Sequence, residues 1–544
     1  MKLDRTRIIF IVIIALAVLI ACGAVAYNFV SGLQQGGTTP TVEDGVTPIA
    51  GNNGGGNQPA VNLESPPAIF AEGADLNDGL PTYICGADAF GSYFTLQQMQ
   101  ISGKDVENGF HLGIIPFDLN DQYAVTEEQR TALLDSGQWS CLLTTLDSVA
   151  LKSPGVITAI VDESAGADQL WGRDIETIND LNGKRIAFAQ GSVGEYFTYY
   201  ALSIARLNPR FDVTLVPQDS VADAVAAFND GQADAVSAWE PDIYDAEQSG
   251  GVSLLSSNQL RIVIDVIVTS RQSISSDADL VQSFHNAWFA TLKAQVEDFD
   301  GAASQIAQWG NNDWSFVYDE SASADFQGWL GSVAQADLGD NVAVMRDTRP
   351  IVDRLGIARR VWAASGLEVP SDDVTDLVNP NFVALAAQQA ALQPSGTPVN
   401  DTFSIAASLD LSGVSDSQDA TTLAVLPCRR FNFLPESTEL TLESRRILDE
   451  CVVPTMLQSV GLFLEVKGSS AWPQSDPPYT EAEIAEFAEA RAQSVVDYLS
   501  SQGIDPARFI VSAVLPPDER RNTDDASLQA EDRFVEMTLI TSGR

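Results

Sequence analysis

The sequence is poor in histidine and in positive charge. Its 544 residues include 2 histidines, and 30 Lys and Arg stand against 74 Asp and Glu, which gives a formal net charge of −44. Neither an H-E-x-x-H nor a C-x-x-C spacing occurs, so the sequence predicts no metal site and no cofactor. Because no basic face is available to neutralise phosphates, a nucleic-acid partner is also excluded.

Charge is missing altogether from one long stretch near the N-terminus. Lys2, Arg5 and Arg7 precede an apolar run that extends from Ile8 to Tyr27. About twenty apolar residues are enough to cross the hydrocarbon core of a bilayer as a helix. The positive flank keeps the N-terminus in the cytoplasm. We therefore expect residues 1–30 to anchor the protein in the cell membrane, with the folded domains outside the cytoplasm.

Cysteine is scarce as well, with five residues in the whole chain. Cys85 and Cys141 lie in one predicted domain and Cys428 and Cys451 in another, and export to an oxidising compartment favours a disulfide within each pair. Cys22 is left over. The segment that it ends, Leu-Ile-Ala-Cys, resembles the bacterial lipobox, so Cys22 is a candidate for lipidation. A cleaved lipoprotein and an uncleaved helix both remain open at this point, and each tethers the protein.

The length predicts about three to four domain-sized units. Residues 31–80 and 391–424 are rich in Gly, Pro, Ser, Thr and Asn, a composition that cannot bury enough apolar surface to fold, and we expect them to be linkers. Two folded parts remain, at 81–390 and 425–544.

Short apolar runs alternate with helical segments throughout residues 81–390. Val221–Asn229, for example, has its apolar residues at helical spacing. Strands that alternate with helices predict an α/β fold with parallel sheets. The strands are expected at Thr82–Gly86, Gly109–Pro116, Trp139–Leu143, Val156–Val161, Arg185–Ala189, Val213–Val216, Ala233–Ala238 and Arg261–Thr269.

Three segments in this part resemble the solute-binding proteins of ABC transporters, and most closely their nitrate, sulfonate and taurine branch. They are Ile178–Ala187 (INDLNGKRIA), Gln190–Tyr196 (QGSVGEY) and Ala224–Pro241 (AVAAFNDGQADAVSAWEP). The resemblance implies the two-lobed periplasmic-binding-protein fold, with lobe 1 at about 81–165 and 270–390 and lobe 2 at about 166–269. It also implies a ligand in the cleft between the lobes, which close by a hinge motion.

Candidate ligand residues follow from the ends of the predicted strands and from these motifs. Glycines at 191 and 194 allow a close backbone approach, and a helix that starts near Glu195 offers free N–H groups. Each position also has a purely structural interpretation as a turn or core residue. The candidates are Asp88, Ser92, Thr144, Thr145, Gly191, Ser192, Gly194, Trp239, Glu240 and Asp265.

The charge of these segments bears on the kind of ligand. Several carboxylates lie in these segments or at the predicted crossings between the lobes, and the main cation near them is Arg173. A bare anion needs cations or many N–H donors to replace its water. We therefore expect a small polar solute and, if several carboxylates face the cleft, an amine, a zwitterion or a metal-associated ligand. The carboxylates are Asp162, Glu163, Asp168, Glu240 and Asp265.

Residues 425–544 resemble an OmpA-like α+β domain. The similar segments are Phe433–Leu448, the helix Glu481–Ser500 with its Ala490-Arg491-Ala492, and Asp532–Glu536. The resemblance implies peptidoglycan binding in which Arg491 holds a carboxylate of the stem peptide. The family's Asp, however, is replaced here by Ala471, so we expect binding weaker than the family norm.

The sequence thus predicts a membrane-anchored solute-binding protein that associates with the cell wall, with an ABC-transporter permease as a further partner. A structural or signalling envelope protein that no longer serves transport is the alternative. Catalysis is not expected. Ser192 lies in Q-G-S-V-G, which lacks the first glycine of a G-x-S-x-G nucleophile motif, and His285 is expected to line a helix.

Overall fold

The computed structural model describes residues 64–88, 90–117, 123–302, 332–393, 420–459 and 461–542. The predicted anchor at 1–30, including Cys22, and most of both predicted linkers lie outside these residues. Within the described ranges, no helix is both long enough and apolar enough to cross a bilayer.

The described strands form three sheets. The first sheet belongs to lobe 1, has the order β11-β4-β10-β3-β1-β2, and is built from β1 (Thr82–Ala87), β2 (His111–Pro116), β3 (Cys141–Thr145), β4 (Val156–Ser164), β10 (Ile264–Thr269) and β11 (Val333–Gln335). The second belongs to lobe 2, has the order β7-β6-β8-β5-β9, and is built from β5 (Asp168–Gly172), β6 (Arg185–Ala189), β7 (Thr214–Gln218), β8 (Ala235–Trp239) and β9 (Val252–Ser256).

Helices cover both sheets, so the α/β class predicted from the sequence agrees with the structure. Val221–Asn229 is a helix with the predicted bounds, and it buries Ala224, Val225 and Phe228. In chain order the helices of this part are α1 (Thr95–Ile101), α2 (Lys104–Glu107), α3 (Glu127–Asp135), α4 (Leu146–Lys152), α5 (Val193–Ile204), α6 (Val221–Asn229), α7 (Ser257–Leu260), α8 (Arg271–Ser276), α9 (Ala278–Glu297), α10 (Leu338–Arg346), α11 (Arg349–Ser365) and α12 (Asn381–Ala386).

The two lobes are joined by two crossovers, at residues 165–167 and 257–263. Strand β10 pairs antiparallel with both β3 and β4, and β5 pairs antiparallel with β8 and β9. The sheets are therefore mixed. The predicted parallel pairing is confirmed for β1 with β2 and β3 and for β6 with β7 and β8, and it is wrong for the pairs formed by β5, β10 and β11. A strand that follows a crossover enters its sheet from the cleft side, which reverses its direction.

The position of β10 also corrects the predicted extent of lobe 2. The sequence placed residues 166–269 in lobe 2, but β10 at Ile264–Thr269 lies in the middle of the lobe 1 sheet. Its six residues are all buried, because neighbouring strands flank both of its edges. The chain therefore returns to lobe 1 before residue 264.

Local sequence features fix where several helices begin. Thr126 and Gln129 form a capping box at α3, Ser192 caps α5, and Ser220 caps α6. Each cap accepts a hydrogen bond from an otherwise unpaired N–H of the first turn. Because α3 and α5 begin at the edges of the two lobes that face each other, these caps place their first turns at the cleft.

The C-terminal domain forms the third sheet, with the order β12-β16-β14-β15 and β13 paired to β16. Strand β14 approaches the long helix so closely that a Cβ on Gly468 would lie 1.9 Å from the carbonyl oxygen of Ala488. The elements are β12 (Ala420–Ala424), β13 (Arg430–Asn432), α13 (Leu442–Ile447), α14 (Val453–Gln458), β14 (Phe463–Ser469), α15 (Glu481–Ser501), β15 (Phe509–Val514), α16 (Ala526–Glu531) and β16 (Phe534–Ser542).

Both predicted linkers extend too far towards the C-terminus. In the first, Ile69 exchanges two backbone hydrogen bonds with Ile114, at 2.7 and 2.9 Å, and Ser65 accepts a hydrogen bond from the Trp139 indole. In the second, residues 420–424 form β12. In both places a few apolar residues pair with a sheet, which the polar composition around them concealed.

The C-terminal domain contacts lobe 2. The Asn179 side-chain amide bonds both backbone groups of Val425, with its nitrogen donating to the carbonyl at 3.0 Å and its oxygen accepting from the N–H at 2.6 Å. Helix α14 packs on α5. A Cβ on Gly461 would lie 2.2 Å from the carbonyl oxygen of Gln259, so the two surfaces meet closely there.

Two disulfides are present, and they are the two expected from the sequence. Cys85 and Cys141 join the neighbouring strands β1 and β3, with their Cα atoms 4.6 Å apart. Cys428 and Cys451 join the segment after β12 to the helical turn before α14. Each bond closes a loop within one domain, which restricts the unfolded chain and so stabilises that domain.

Candidate ligand-binding site between the lobes

The lobe 1 side of the cleft is formed where three strands lie side by side. Asp265 of β10 is opposite Thr145 of β3 on one side and Asp162 of β4 on the other. Asp162 and Asp265 are 0% and 3% exposed. Two carboxyl groups that must share a buried place on adjacent strands favour protonation, and burial followed by the neighbouring Asp162 raises the pKa of Asp265 well above its usual range.

The loop after β1 covers this pair. The Tyr93 hydroxyl donates a hydrogen bond to Asp265, and Ser92, which is fully buried, lies beside the Asp162 carboxyl. Burial, together with Asp265 and Asp88, raises the pKa of Tyr93 well above its usual value. The predicted residues Asp88, Ser92 and Asp265 thus belong to one cluster, and Tyr93 is a member that the sequence analysis missed.

The two threonines that end β3 are half-buried. Thr145 donates a hydrogen bond to Ser148 at 3.2 Å and lies beside the Asp147 carboxyl. Thr144 is opposite Val266 in β10. Thr145 therefore stands with the carboxyl cluster, whereas no polar contact of Thr144 supports its predicted role.

Asp168 begins the lobe 2 side, directly after the first crossover. It is opposite Trp239 across β5 and β8, so the predicted aromatic and this carboxylate share one edge of the sheet. Asp168 is 5% exposed. Burial, together with the nearby Asp162 and Glu240, raises its pKa to about 7.

The loop between β6 and α5 carries the predicted Gly191, Ser192 and Gly194. Gly191 has a φ of 74°, a conformation that favours glycine, and its N–H donates to the Glu195 carboxylate at 2.7 Å. A Cβ on Gly194 would lie 2.9 Å from the carbonyl oxygen of Ser237. Gly194 is therefore needed for the close packing of α5 on β8, and Ser192 acts as a helix cap.

The lobes meet at this loop. A Cβ on Gly191 would lie 3.7 Å from a carboxylate oxygen of Glu127, in the first turn of α3. Burial raises the pKa of Glu127 to about 7, against the attraction of Lys152, whose ammonium group lies 3.8 Å away. Glu127 was not among the residues predicted from the sequence.

Asp147, in the first turn of α4, completes the lobe 1 side. It is 2% exposed, and neither of its carboxyl oxygens has a hydrogen-bond partner of normal geometry. Burial is the main cause that raises its pKa to about 7, and Asp168 and Glu127 add to the shift. Its position two residues after Thr145, beyond a strand end, is a signal that sequence analysis could have used.

Two residues lie elsewhere than predicted. Arg173 donates to the backbone oxygens of Ser249 and Phe228, and its guanidinium lies over the Phe228 ring, 4.3 Å from the ring centre. It is thus not the cation of the cleft. Glu240 accepts a hydrogen bond from Tyr244.

Glu240 also lines a separate cavity of about 550 Å³ beside the crossovers. Most of its other lining residues come from the first crossover, β5, β9 and α7, and Tyr244 and Ser332 complete the lining. Glu240 still acts on Asp168 electrostatically. It therefore stands at the margin of the carboxyl cluster and faces the crossovers.

The candidates for catalysis have structural roles. The Ser192 hydroxyl donates to the Ala189 carbonyl at 2.7 Å and accepts from the Gly194 N–H. His285 is fully buried in α9 and bonded to Val281 and Thr158, and burial lowers its pKa to about 4. In the described part of the chain, no group of three His, Cys, Asp or Glu is placed to hold a metal ion.

The candidate residues of the C-terminal domain lie close together but are buried. Arg491 is 1% exposed and donates to three backbone carbonyls, those of Ser437, Ser469 and Leu434, at 3.0, 2.9 and 3.4 Å. Burial lowers its pKa to about 10. Ala471 is 7% exposed and follows the same turn that Arg491 holds.

Comparison with known families places one match over this region. A family model described as "NMT1/THI5 like" matches residues 156–300, from the start of β4 through lobe 2 and β10 to the end of α9. The putative aliphatic sulfonates-binding protein of Escherichia coli (strain K12) is 32% identical over 125 residues, which are 20% of this chain and 39% of that protein. The chain thus aligns with well under half of this relative.

Several solved structures are similar to this chain at low sequence identity and with TM-scores below 0.5. The alkanesulfonate-binding protein SsuA from Xanthomonas axonopodis pv. citri, bound to MOPS, has a TM-score of 0.42 at 18% identity and covers 55% of this chain and 98% of its own. The periplasmic aliphatic sulphonate binding protein SsuA from Escherichia coli has a TM-score of 0.43 at 14% identity, and the match covers 58% of this chain and 93% of that protein. The desulfurization enzyme DSZB has a TM-score of 0.38 at 16% identity, and the match covers 57% of this chain and 99% of that enzyme.

Proposed function

We propose that this protein is an extracytoplasmic, membrane-anchored solute-binding protein that captures a small polar ligand between lobes 1 and 2. The observation that supports this function most is the buried polar cluster between the lobes. Its members come from strand ends and first helical turns of both lobes, and two crossovers join those lobes. Such an arrangement encloses a ligand by movement of one rigid lobe against the other.

The family match supports the same function from a different side. It covers both crossovers and all of lobe 2, which are the parts that hold and enclose a ligand. The similar protein in Escherichia coli is a putative binding protein for aliphatic sulfonates. A permease of an ABC transporter is the partner that a receptor of this kind would serve, and the predicted anchor at 1–30 would keep it at the membrane.

A thermal-shift screen of the full chain in detergent tests ligand capture, with amines, amino acids, sulfonates and inorganic anions as probes. We expect one class to raise Tm. Trp239→Ala removes a large contact surface at the cleft edge and should weaken binding of that probe by a few kcal/mol. Phe211→Ala, at an aromatic side chain that is 84% exposed, is the matched control.

Two results of this screen would contradict the proposal. Equal binding by Trp239→Ala and the parent would place the ligand elsewhere. Chemical conversion of the probe would support an enzyme instead, one that does not rely on Ser192 or His285, since both are hydrogen-bonded to backbone carbonyls.

We also propose that the C-terminal domain is OmpA-like and associates with the cell wall more weakly than is usual for that family. Arg491 keeps the position that the resemblance assigns to it, but its donors are used by three carbonyls, and Ala471 cannot pair with a ligand ammonium group. Restoring an acid should raise affinity by roughly 1.5–3 kcal/mol, the value of one charge-assisted hydrogen bond.

The test is a pull-down with purified sacculi that compares the parent, Ala471→Asp and Arg491→Ala. Stronger retention of Ala471→Asp supports the proposal. Circular dichroism must accompany Arg491→Ala, because this change leaves buried carbonyls without donors. If the parent binds sacculi tightly and a folded Arg491→Ala variant binds them equally well, this turn is not the binding site.

A further inference from the structure

Four carboxyl groups between the lobes lack a cationic partner. Asp147, Asp162 and Asp265 belong to lobe 1 and Asp168 to lobe 2, and they are 0–5% exposed. None of the ion pairs among the described residues includes any of them. Both carboxyl oxygens of Asp147 and of Asp162 lack a hydrogen-bond partner of normal geometry. Oxygen atoms buried in this way cost free energy unless a donor reaches them.

The charges that act on this cluster are mostly repulsive. Asp168 raises the pKa of Asp147, and Asp162 raises the pKa values of both Asp168 and Asp265. The surrounding titratable groups add further acids on both lobes and few bases. They are Asp88, Tyr93, Glu127, Glu163, Glu195 and Glu240, with the cations Arg130, Lys152 and Arg261.

The three nearby cations are directed at other groups. Lys152 pairs with Glu127 and Glu128, and Arg261 pairs with Glu163 at 3.5 Å. Arg130 lies over the Phe117 ring, 4.4 Å from its centre. The four carboxyl groups therefore have hydroxyl neighbours such as Tyr93, but the ion pairs of the nearby cations go to other groups, and the cluster keeps an excess of acid.

We propose that the ligand between the lobes is a small organic cation with several N–H donors, a primary amine or diamine, and not a sulfonate or another anion. This inference rests on the function proposed above and names its ligand class. A primary ammonium group offers three N–H donors to the carboxyl oxygens of Asp147 and Asp162, whereas a quaternary ammonium group offers none. A sulfonate would instead place its oxygen atoms, which are hydrogen-bond acceptors, beside carboxylate oxygens that are acceptors as well.

The distribution of the carboxyl groups favours an extended ligand over a single ion. Asp162 and Asp265 lie on adjacent central strands of lobe 1, whereas Asp147 begins a helix and Asp168 lies across the cleft on lobe 2. A ligand with an ammonium group at each end can reach both lobes at once. Binding then favours the closed arrangement, because each end gains contacts that only the closed lobes provide.

The experiment is isothermal titration of the full chain in detergent with 1,4-diaminobutane, choline, ethanesulfonate and Mg²⁺, at pH 6, 7 and 8. We expect binding of 1,4-diaminobutane and little or none of the other three. Its affinity should rise by at least about tenfold from pH 6 to pH 8, since the diamine stays protonated while binding releases protons from acids that titrate near neutral pH.

Asp162→Asn is the variant that tests the site, and Asp230→Asn, at an exposed position, is its control. We expect Asp162→Asn to weaken diamine binding at least tenfold while its Tm without ligand is unchanged or higher, which shows that the fold is intact. Unaltered diamine binding by this variant would overturn the inference.

The other outcomes separate this inference from the proposed function. Binding of ethanesulfonate that Trp239→Ala abolishes, and that weakens as the pH rises, would leave a receptor in place but refute its cationic ligand. Preference for Mg²⁺ or choline over the diamine would refute the requirement for N–H donors. If no probe of any class binds, both proposals fail.

Discussion

Buried charges occur both between the lobes and in the C-terminal domain, but their surroundings differ. In the C-terminal domain Arg491 and Arg508 each donate to three backbone carbonyls, so these cations replace the water they have lost. Between the lobes Asp147 and Asp162 have no comparable partners. Charges of the first kind hold a fold together, and charges of the second kind are the basis of the ligand site proposed above.

We expect the largest effect on stability from removing one of the buried arginines that are fully hydrogen-bonded in the C-terminal domain. Arg508 holds the carbonyls of Leu462, Met456 and Ser459, and Arg508→Met leaves all three buried without a donor. We expect the C-terminal domain to lose about 3–5 kcal/mol of stability, seen by differential scanning calorimetry as an earlier transition for that domain.

Arg429→Met is the matched control, since the Arg429 side chain is 50% exposed and makes one ion pair with Glu536. Exposed pairs contribute about 0–1 kcal/mol. Equal effects of the two changes would mean that the buried hydrogen bonds of Arg508 do not stabilise the domain.

Removing a carboxylate from the cluster between the lobes should instead increase the stability of the protein. Asp147→Asn removes a charge but keeps the shape, so we expect the variant to be more stable than the parent at pH 8, by about 1–3 kcal/mol, and this difference to shrink as the pH falls towards 4. Glu247→Gln at an exposed position should change nothing. A loss of stability in Asp147→Asn at pH 8 would show that its carboxylate is already well paired.

The same group predicts how stability depends on pH. Folding raises the pKa of Asp147 from 3.8 to about 7, so the folded state binds the proton more tightly than the unfolded state. This contribution is complete below pH 4 and is lost as the pH rises through about 7. Chemical denaturation without ligand should therefore show stability falling from pH 5 to pH 8, and a flatter profile for Asp147→Asn. A profile that rises over this range would contradict the shift.

The smallest effect concerns the contact between the two regions. Asn179→Ala removes the two hydrogen bonds to Val425, and about 1–2 kcal/mol of coupling between lobe 2 and the C-terminal domain should be lost. The calorimetric transitions of the two parts should then move apart. Asn182→Ala, at an exposed neighbouring position, should leave them together, and no separation in Asn179→Ala would show that the contact does not couple them.

Sequence analysis succeeded where the signal is local. The helix at Val221–Asn229 follows from apolar spacing, and the strand at Arg185–Ala189 has the predicted bounds. It missed β5 and β9, because a short strand that begins with Asp168 or contains two serines in five residues has no clear apolar alternation. Their pairing depends on partners far along the chain.

The site was predicted in outline for the same reason. Ser92, Asp265 and Trp239 lie near strand ends or in family motifs, so they were among the candidates, and their role in ligand binding stays a prediction. Glu127 comes from the first turn of a helix that reaches the cleft only when the lobes have assembled, and no local pattern marks it, whereas Asp147 follows a strand end and could have been a candidate. Arg173 was misjudged because its nearness in sequence to Asp168 says nothing about the direction of its side chain along a strand.

Trp362 of α11 adds a connection between the lobes besides the two crossovers. Its indole N–H donates to the Asp147 carbonyl of lobe 1 at 3.0 Å, and its ring packs against Tyr196 and Tyr199 of lobe 2, with ring centres 5.5 and 5.8 Å apart. The Trp362 side chain thus contacts both lobes at once. A movement of lobe 2 away from lobe 1 would have to separate this ring from its tyrosines or carry α11 along, so the hinge motion proposed above would change the contacts of the helix turn that carries Asp147.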